Sequence, residues 1–220
     1  MMKKVFTLLV CCLLAVATTG QELIPKESSN GKYGFVDKEG QTVITFLYDY
    51  ADYFREGLAR VELNGKWGFI DGQGRTVILF QYDDAFFFSE GLASVELNGK
   101  WGFIDKQGQV VIPYQYDYAD YFSEGLASVE LNGKWGFIDK KGRTVIPCQY
   151  GCVIGFSNGL APVLKDKWGF IDKQGRIVIP FQYDGVTGFI NGLSQVMLNG
   201  KRGYINTRGD WFDTREAGEK

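Results

Sequence analysis

"NGKWGFIDKQG", Asn98 to Gly108, decides the fold, because much the same string recurs through the chain. It stands as NGKYGFVDKEG from Asn30, NGKWGFIDGQG from Asn64, NGKWGFIDKKG from Asn132 and NGKRGYINTRG from Asn199, with a variant, KDKWGFIDKQG, from Lys165. The aromatic position falls at Tyr33, Trp67, Trp101, Trp135 and Trp168 and becomes Arg202, a spacing of 34 residues broken once by 33. Repetition at a fixed period sets the architecture before any single residue is read.

A period of 34 is shared with helical tetratricopeptide arrays, but the residues exclude helices. Each unit reads KWGFID, a Gly-containing turn, a run such as RTVIP with QYD, an FSEGL corner and ASVEL, which are short β-branched and aromatic runs cut by turn residues. Three strands per unit are expected. Asn64-Gly65, Asn98-Gly99 and Asn132-Gly133 suit two-residue hairpins that need positive φ twice. The loop from Asp105 to Gly108 suits a type I turn closed by a left-handed glycine. The chain is therefore read as one long β-meander. Within KWGFID the period-2 rule sets Trp101 and Phe103 on one face and Gly102 and Ile104 on the other. Gly102 leaves a gap, expected to be filled by a QYD tyrosine (Tyr82, Tyr116, Tyr150, Tyr183) or the next unit's Trp.

The run G-K-W-G-F-I-D-x-x-G-x-x-V-I-P-x-x-Y-D, with F-S-E-G-L-A-x-V following, resembles the WG repeat of bacterial proteins from about Asn30 to Phe212. That resemblance implies a binding or scaffolding array and brings no catalytic residues with it. The end copies depart from the pattern at Tyr33 and Thr45, and at Arg202, Tyr204 and Asn206; Leu79 replaces the usual Pro in the second. Atypical ends suit an open array whose outer faces have no neighbour. The fold expected is all-β, tandem three-stranded meander repeats in an open twisted array, with a closed β-propeller as the alternative.

Composition agrees with a packed protein: 45% hydrophobic and 15% aromatic residues, with 29 glycines for tight turns. The first residues carry Lys3 and Lys4, an apolar stretch from Val5 to Ala17 and then small residues. This is too short to span a bilayer, which takes roughly 20 residues, and reads as a secretory signal. The expected segments are a signal over 1–20, a linker over 21–29, the repeat domain over 30–212 and a polar tail over 213–220. No transmembrane anchor is expected, and the location is extracytoplasmic, periplasmic or secreted. Loss of two lysines takes the net charge from −2 to −4, which disfavours nucleic acid.

The chain has no His, which removes the usual general base and imidazole metal ligands. No enzyme, cofactor or metal site is expected. Asp37, Asp71, Asp105, Asp139 and Asp172 form a ladder whose repetition suits turn capping. Calcium at Asp49 and Asp52, or at Asp83 and Asp84, lacks the ligand spacing that would specify it. Trp67, Trp101, Trp135 and Trp168 are read as structural, with a sugar-stacking platform as the alternative. Lys66, Lys100 and Lys134 are expected to pair with carboxylates or lie in solvent.

Copies disagree most between YD and the corner phenylalanine. There Tyr50, Tyr53, Phe86, Phe87, Tyr118 and Tyr121 make a candidate partner-binding surface, packing under the corner being the other reading. Arg208-Gly209-Asp210 aligns with an ordinary repeat turn. Cys148 and Cys152 have no counterparts in other units, and a disulfide between them would require a turn at Gln149 to Gly151. The function expected is an exported, non-catalytic module for a macromolecular, chiefly protein, partner. A carbohydrate or peptidoglycan binder using the aromatic ladder is the alternative.

Overall fold

A computed structural model describes residues 22–213, so the expected signal segment lies outside the described residues. Among the described residues there is no helix, and six antiparallel sheets follow one another in sequence. The first holds β1 (Ile24–Glu27), β2 (Tyr33–Val36) and β3 (Thr42–Tyr48). The second holds β4 (Tyr50–Ala51), β5 (Leu58–Leu63), β6 (Lys66–Asp71) and β7 (Thr76–Tyr82). The third holds β8 (Asp84–Ala85), β9 (Ala93–Leu97), β10 (Lys100–Ile104) and β11 (Val110–Tyr116). The fourth holds β12 (Tyr118–Ala119), β13 (Leu126–Leu131), β14 (Lys134–Asp139) and β15 (Thr144–Tyr150). The fifth holds β16 (Cys152–Val153), β17 (Leu160–Leu164), β18 (Trp168–Asp172) and β19 (Ile177–Tyr183). The last holds β20 (Gly185–Val186), β21 (Leu193–Leu198), β22 (Lys201–Asn206) and β23 (Trp211–Asp213).

This is the open meander array, without a closed barrel. Two details of the expected plan change. Each full sheet gains a two-residue first strand, too short to leave a periodic pattern, and the boundary between sheets falls at YD rather than at Asn-Gly. The expected linker contains β1, whose Ile24 to Glu27 pair with Val36 to Tyr33 while Leu23 is buried beneath. Pro25 is tolerated because β1 is an edge strand. Asp213 likewise ends β23 instead of opening a tail.

The Asn-Gly hairpins form as read: Leu97 pairs with Lys100 across Asn98 and Gly99, whose φ values are 54° and 74°. The fifth sheet differs. One residue is missing, so Leu164 pairs with Trp168 across a three-residue loop, Lys165 to Lys167. The Asp-to-Gly loops also close as read; the Gly108 amide donates to the Asp105 carbonyl at 2.9 Å, and the Asp105 side chain accepts the Gln107 and Gln109 amides.

The Trp-Gly step is filled differently from the expectation. Opposite Gly102 the β10–β11 register shifts, and the bulged partner strand brings the Ile112 carbonyl to 2.6 Å from where a Cβ would stand. Neither the QYD tyrosine nor the next Trp enters; the gap is taken by the main chain of Ile112 and Tyr114 and by the edge of the Tyr114 ring, 2.8 Å from the same point.

Both faces of each inner sheet are covered, which explains why Trp101, Gly102, Phe103 and Ile104 are all buried. Ile104 packs back on Leu58, Phe69 and Ile78 of the second sheet, whereas Trp101 and Phe103 pack forward on Ala119 and Phe122 of the fourth. A phenylalanine pair crosses every junction: Phe35–Phe54, Phe69–Phe88, Phe103–Phe122, Phe137–Phe156 and Phe170–Phe189, with centroids 4.8–5.2 Å apart. The core of the described residues is thus five apolar layers between consecutive sheets.

Candidate aromatic rim

The short strands β4, β8 and β12, with the residues that follow them, gather the candidate residues at one rim of the array. Phe86, Tyr118 and Tyr121 come together, Phe86 lying 6.0 Å from Tyr118 and 6.4 Å from Tyr121, and Phe87 stacks 4.8 Å from Tyr121. Tyr50 is placed apart, between Tyr33 at 5.2 Å and Trp67 at 5.7 Å. Tyr53 is 54% exposed and makes no ring contact among the described residues. The six residues are therefore not one continuous row. Phe86 and Tyr118 are half-buried against Trp101, at 5.6 and 5.0 Å, while Tyr50, Tyr53 and Tyr121 are exposed.

The tryptophans are not equivalent. Trp101 is 3% exposed and belongs to the core, whereas Trp67, Trp135 and Trp168 are half-buried. Trp135 carries Tyr118 at 5.5 Å, and Trp168 carries no stacked ring or cation among the described residues.

Charge at this rim comes from residues that the repeat pattern alone did not single out. Arg60 on β5 lies 4.9 Å over Trp67 and 5.9 Å from Phe86, its Nε 3.1 Å from Asp52, and its Nη1 donates to the Ala85 carbonyl of the next sheet. Arg55 covers Phe87 at 4.1 Å. Burial, then the neighbouring Asp83 and Asp84, pushes the Glu96 carboxyl up from its ordinary value. Burial raises Asp120 too, against the pull of the Tyr121 amide. Tyr118 is raised by burial and by Asp120 and Asp84. The signal for Arg60 was present in the sequence: YADYF and VELNGKWGFID occur in both the second and fourth sheets, with Arg60 in one and Ser128 in the other.

The lysine beside Trp67, Trp101 or Trp168 spans sheets through the YD aspartate. Lys66 pairs with Asp83 at 2.5 Å and Lys100 with Asp117 at 2.6 Å, and these aspartates also accept the Asn98 and Asn132 amides of the next hairpin. Lys66, with the Asn98 amide, holds Asp83 below its usual range. Gly151 replaces the aspartate where the hairpin is altered, and Lys134 has no ion pair among the described residues. Two changes in sequence are thus one change in structure.

Cys148 and Cys152 are free. The staple does not form because β15 stays extended through Tyr150 and Cys152 begins the next sheet, so the Sγ of Cys148 faces the Val129 carbonyl and that of Cys152 its neighbour Val153. Arg208 to Asp210 form a repeat turn in which the Asn206 side chain accepts the Arg208 and Asp210 amides. Among the described residues no three His, Cys, Asp or Glu gather as a metal site, and no helix is long and apolar enough to cross a membrane.

A family model described as "WG containing repeat" matches residues 33–67, 67–101, 101–135, 135–167 and 168–201. No curated protein matches the chain in sequence. Among solved structures, a eukaryotic initiation factor is similar with a TM-score of 0.59 at 15% identity, over 87% of this chain and 62% of that one. Hsv2 of Kluyveromyces lactis is similar with a TM-score of 0.52 at 9% identity, over 90% and 74%. The dihydro-heme d1 dehydrogenase NirN gives 0.51 at 12% identity, over 84% and 52%. At such identities the likeness is one of fold alone. The chain spans about three fifths of the initiation factor's length.

Proposed function

The chain belongs to the WG-containing repeat family, and from that premise we propose that it is an exported, non-catalytic module that binds a protein partner through its aromatic rim. The observation that carries this reading is the cluster of Phe86, Phe87, Tyr118 and Tyr121, with Asp84, Glu96 and Asp120 beside it. Tyrosine and phenylalanine supply large contact area at low ordering cost, and tend to anchor interfaces. These positions vary between units while the junction phenylalanines do not, so the repeat does not fix them, although Phe86 and Tyr118 also pack on Trp101. The absence of His agrees with binding rather than acid–base chemistry. The lysine-flanked apolar segment of residues 5–17 supports export.

The test is capture of partners from envelope extract by residues 21–220 as bait. Phe87→Ser with Tyr121→Ser should lose a partner held by the parent chain, without loss of folding. Retention of every captured protein by that variant overturns the reading. A glycan is the second reading, favoured by the half-buried Trp168 with no ring or cation stacked on it. Glycan-array binding abolished by Trp168→Ala would establish it.

A further inference from the structure

From Tyr50 to Asp71 and from Tyr118 to Asp139 the second and fourth sheets carry the same sequence except at two positions, where Arg55 and Arg60 become Ser123 and Ser128. In the second, the Asp52 amide donates to the Arg60 carbonyl at 3.1 Å, and the Asp52 carboxylate accepts the Tyr53 amide at 2.8 Å. In the fourth, the Asp120 amide donates to the Ser128 carbonyl at 3.0 Å, and the Asp120 carboxylate accepts the Tyr121 amide at 2.8 Å. Tyr50 faces Glu62 and Glu62 faces Trp67; Tyr118 faces Glu130 and Glu130 faces Trp135. Tyrosine stacks on tryptophan at 5.7 Å in one and 5.5 Å in the other.

What the second sheet places in that frame is a guanidinium. Arg60 offers one edge to Asp52, another to the Ala85 carbonyl and its plane to Trp67, which is how a planar fork of donors is held by carboxylate, carbonyl and ring together. In the fourth sheet Asp120, Val153 and Trp135 stand at those three positions, and Ser128, buried and several atoms shorter, stands at the fourth. Among the described residues Asp120 pairs with no cation: its hydrogen bond comes from its own neighbour's amide, and Lys134, next to Trp135, makes no ion pair with it. One sheet back, Ser94 occupies the same lattice position and relates to Ala119 and Asp120 as Arg60 does to Ala85 and Phe86. Its hydroxyl is fully buried and has no hydrogen-bond partner among the described residues. A buried donor left unmet is unusual enough to need a reason, and it lies on the same row.

We propose that Asp120 and Trp135 form a seat for an arginine side chain of the protein partner, which supplies from outside the guanidinium that Arg60 supplies internally in the second sheet. This rests on reading the rim as the partner-binding surface. Arginine is chosen over lysine because in the second sheet this frame presents an acceptor on either side of a ring face, and a point charge would meet only the carboxylate. In the fourth sheet the Val153 carbonyl meets only the weak Cys152 thiol donor, at 3.8 Å. Asp84 and Glu96 add charge of the complementary sign along the same rim.

The experiment uses residues 21–220 and two blocked tripeptides, Gly-Arg-Gly and the uncharged Gly-citrulline-Gly, titrated while the Trp135 indole and Asp120 amide resonances are followed. The arginine peptide should shift both saturably, and the citrulline peptide should bind at least tenfold more weakly. Asp120→Asn should lose at least tenfold in affinity. Ser128→Arg, which fills the seat with the residue that folds in the second sheet, should lose as much. Equal binding of the two peptides, unchanged binding by both variants, or no saturable shift overturns the seat. Partner capture separates the two readings. If Phe87→Ser with Tyr121→Ser releases a partner that Asp120→Asn and Ser128→Arg retain, the rim stands and the seat falls. If the arginine peptide binds at Asp120 but the parent chain captures nothing, the seat stands and the rim reading falls.

Discussion

The three inner junctions of the array and the two outer ones share their apolar contact and differ in their polar one. Between the second and third sheets Glu56 pairs with Lys106 at 3.2 Å, between the third and fourth Glu90 with Lys140 at 3.0 Å, and between the fourth and fifth Glu124 with Lys173 at 3.1 Å. Each glutamate also accepts a glycine amide of the next corner: Gly91, Gly125 and Gly159. At the last junction Asn158 keeps the bond to the Gly192 amide, but the lysine position is Thr207. At the first junction the lysine position is Gly72. Acid and lysine come and go together, whereas the phenylalanine pair persists at all five. The ring pair is what stacking two sheets requires; the ion pair is an addition confined to sheets with neighbours on both sides. Exposed pairs of this kind contribute roughly 1 kcal/mol or less, far below the value of a buried ring.

That ranking can be broken at its top. Phe122→Ala, at an inner junction, should lose about 3 to 5 kcal/mol in denaturant unfolding. Phe189→Ala should loosen the last sheet first, visible as faster amide exchange in β21 and β22 with the inner sheets still protected. Uniform exchange throughout both variants would show that the junctions do not act separately.

The Trp-Gly step gives the next largest effect. A Cβ on Gly136 would stand 2.5 Å from the Ile146 carbonyl and 2.7 Å from the Cys148 amide, both main chain, so Gly136→Ala should cost about 3 kcal/mol. At Gly203 the obstacle is instead the side chain of Trp211, itself 41% exposed and able to swing aside, so Gly203→Ala should cost less than half as much. Equal losses in melting experiments would contradict that assignment.

Glu90→Gln should cost under about 1 kcal/mol at neutral pH, because both partners remain in contact with solvent. Its pH dependence is more telling. Burial pushes the Glu90 carboxyl up, but the Lys140 ammonium and the Gly125 amide outweigh it and hold it below its ordinary value. A lowered carboxyl contributes stability that is present above the unfolded-state value and is lost as pH falls through the folded one. Urea midpoints should therefore fall more steeply with acid, from neutral to about pH 3, in the parent than in Glu90→Gln. Parallel curves would mean that the pair is not formed in solution. The smallest effect is a gain: Asn158→Glu with Thr207→Lys should transplant the inner pair to the last junction and add a few tenths of a kcal/mol.

Much of this was legible beforehand because it is local and repeated. Asn98-Gly99 fixes its own hairpin, and Asp105 caps its own turn. The sheet boundary was not, because a two-residue strand such as Tyr50–Ala51 is shorter than any alternation that could reveal it. Ile24–Glu27 escaped notice because Pro, Lys and Glu on an edge strand look like a linker. The filling of Gly102 depended on a bulge in a strand ten residues away. At the rim, the aromatic residues were found by asking where units differ. Arg60 was missed because it stands on the strand that faces the insert; Asp120 stands inside the insert, but no local signal marks it as buried.

The junction phenylalanines have a mechanical consequence. Each ring grips only the sheet next to it, so a load drawn through the chain ends meets the layers one after another instead of all together. Pulled in an optical trap, the array should extend in a sawtooth, each tooth releasing one 34-residue unit, about 120 Å of chain. The rise of force should repeat from tooth to tooth as the sequence does.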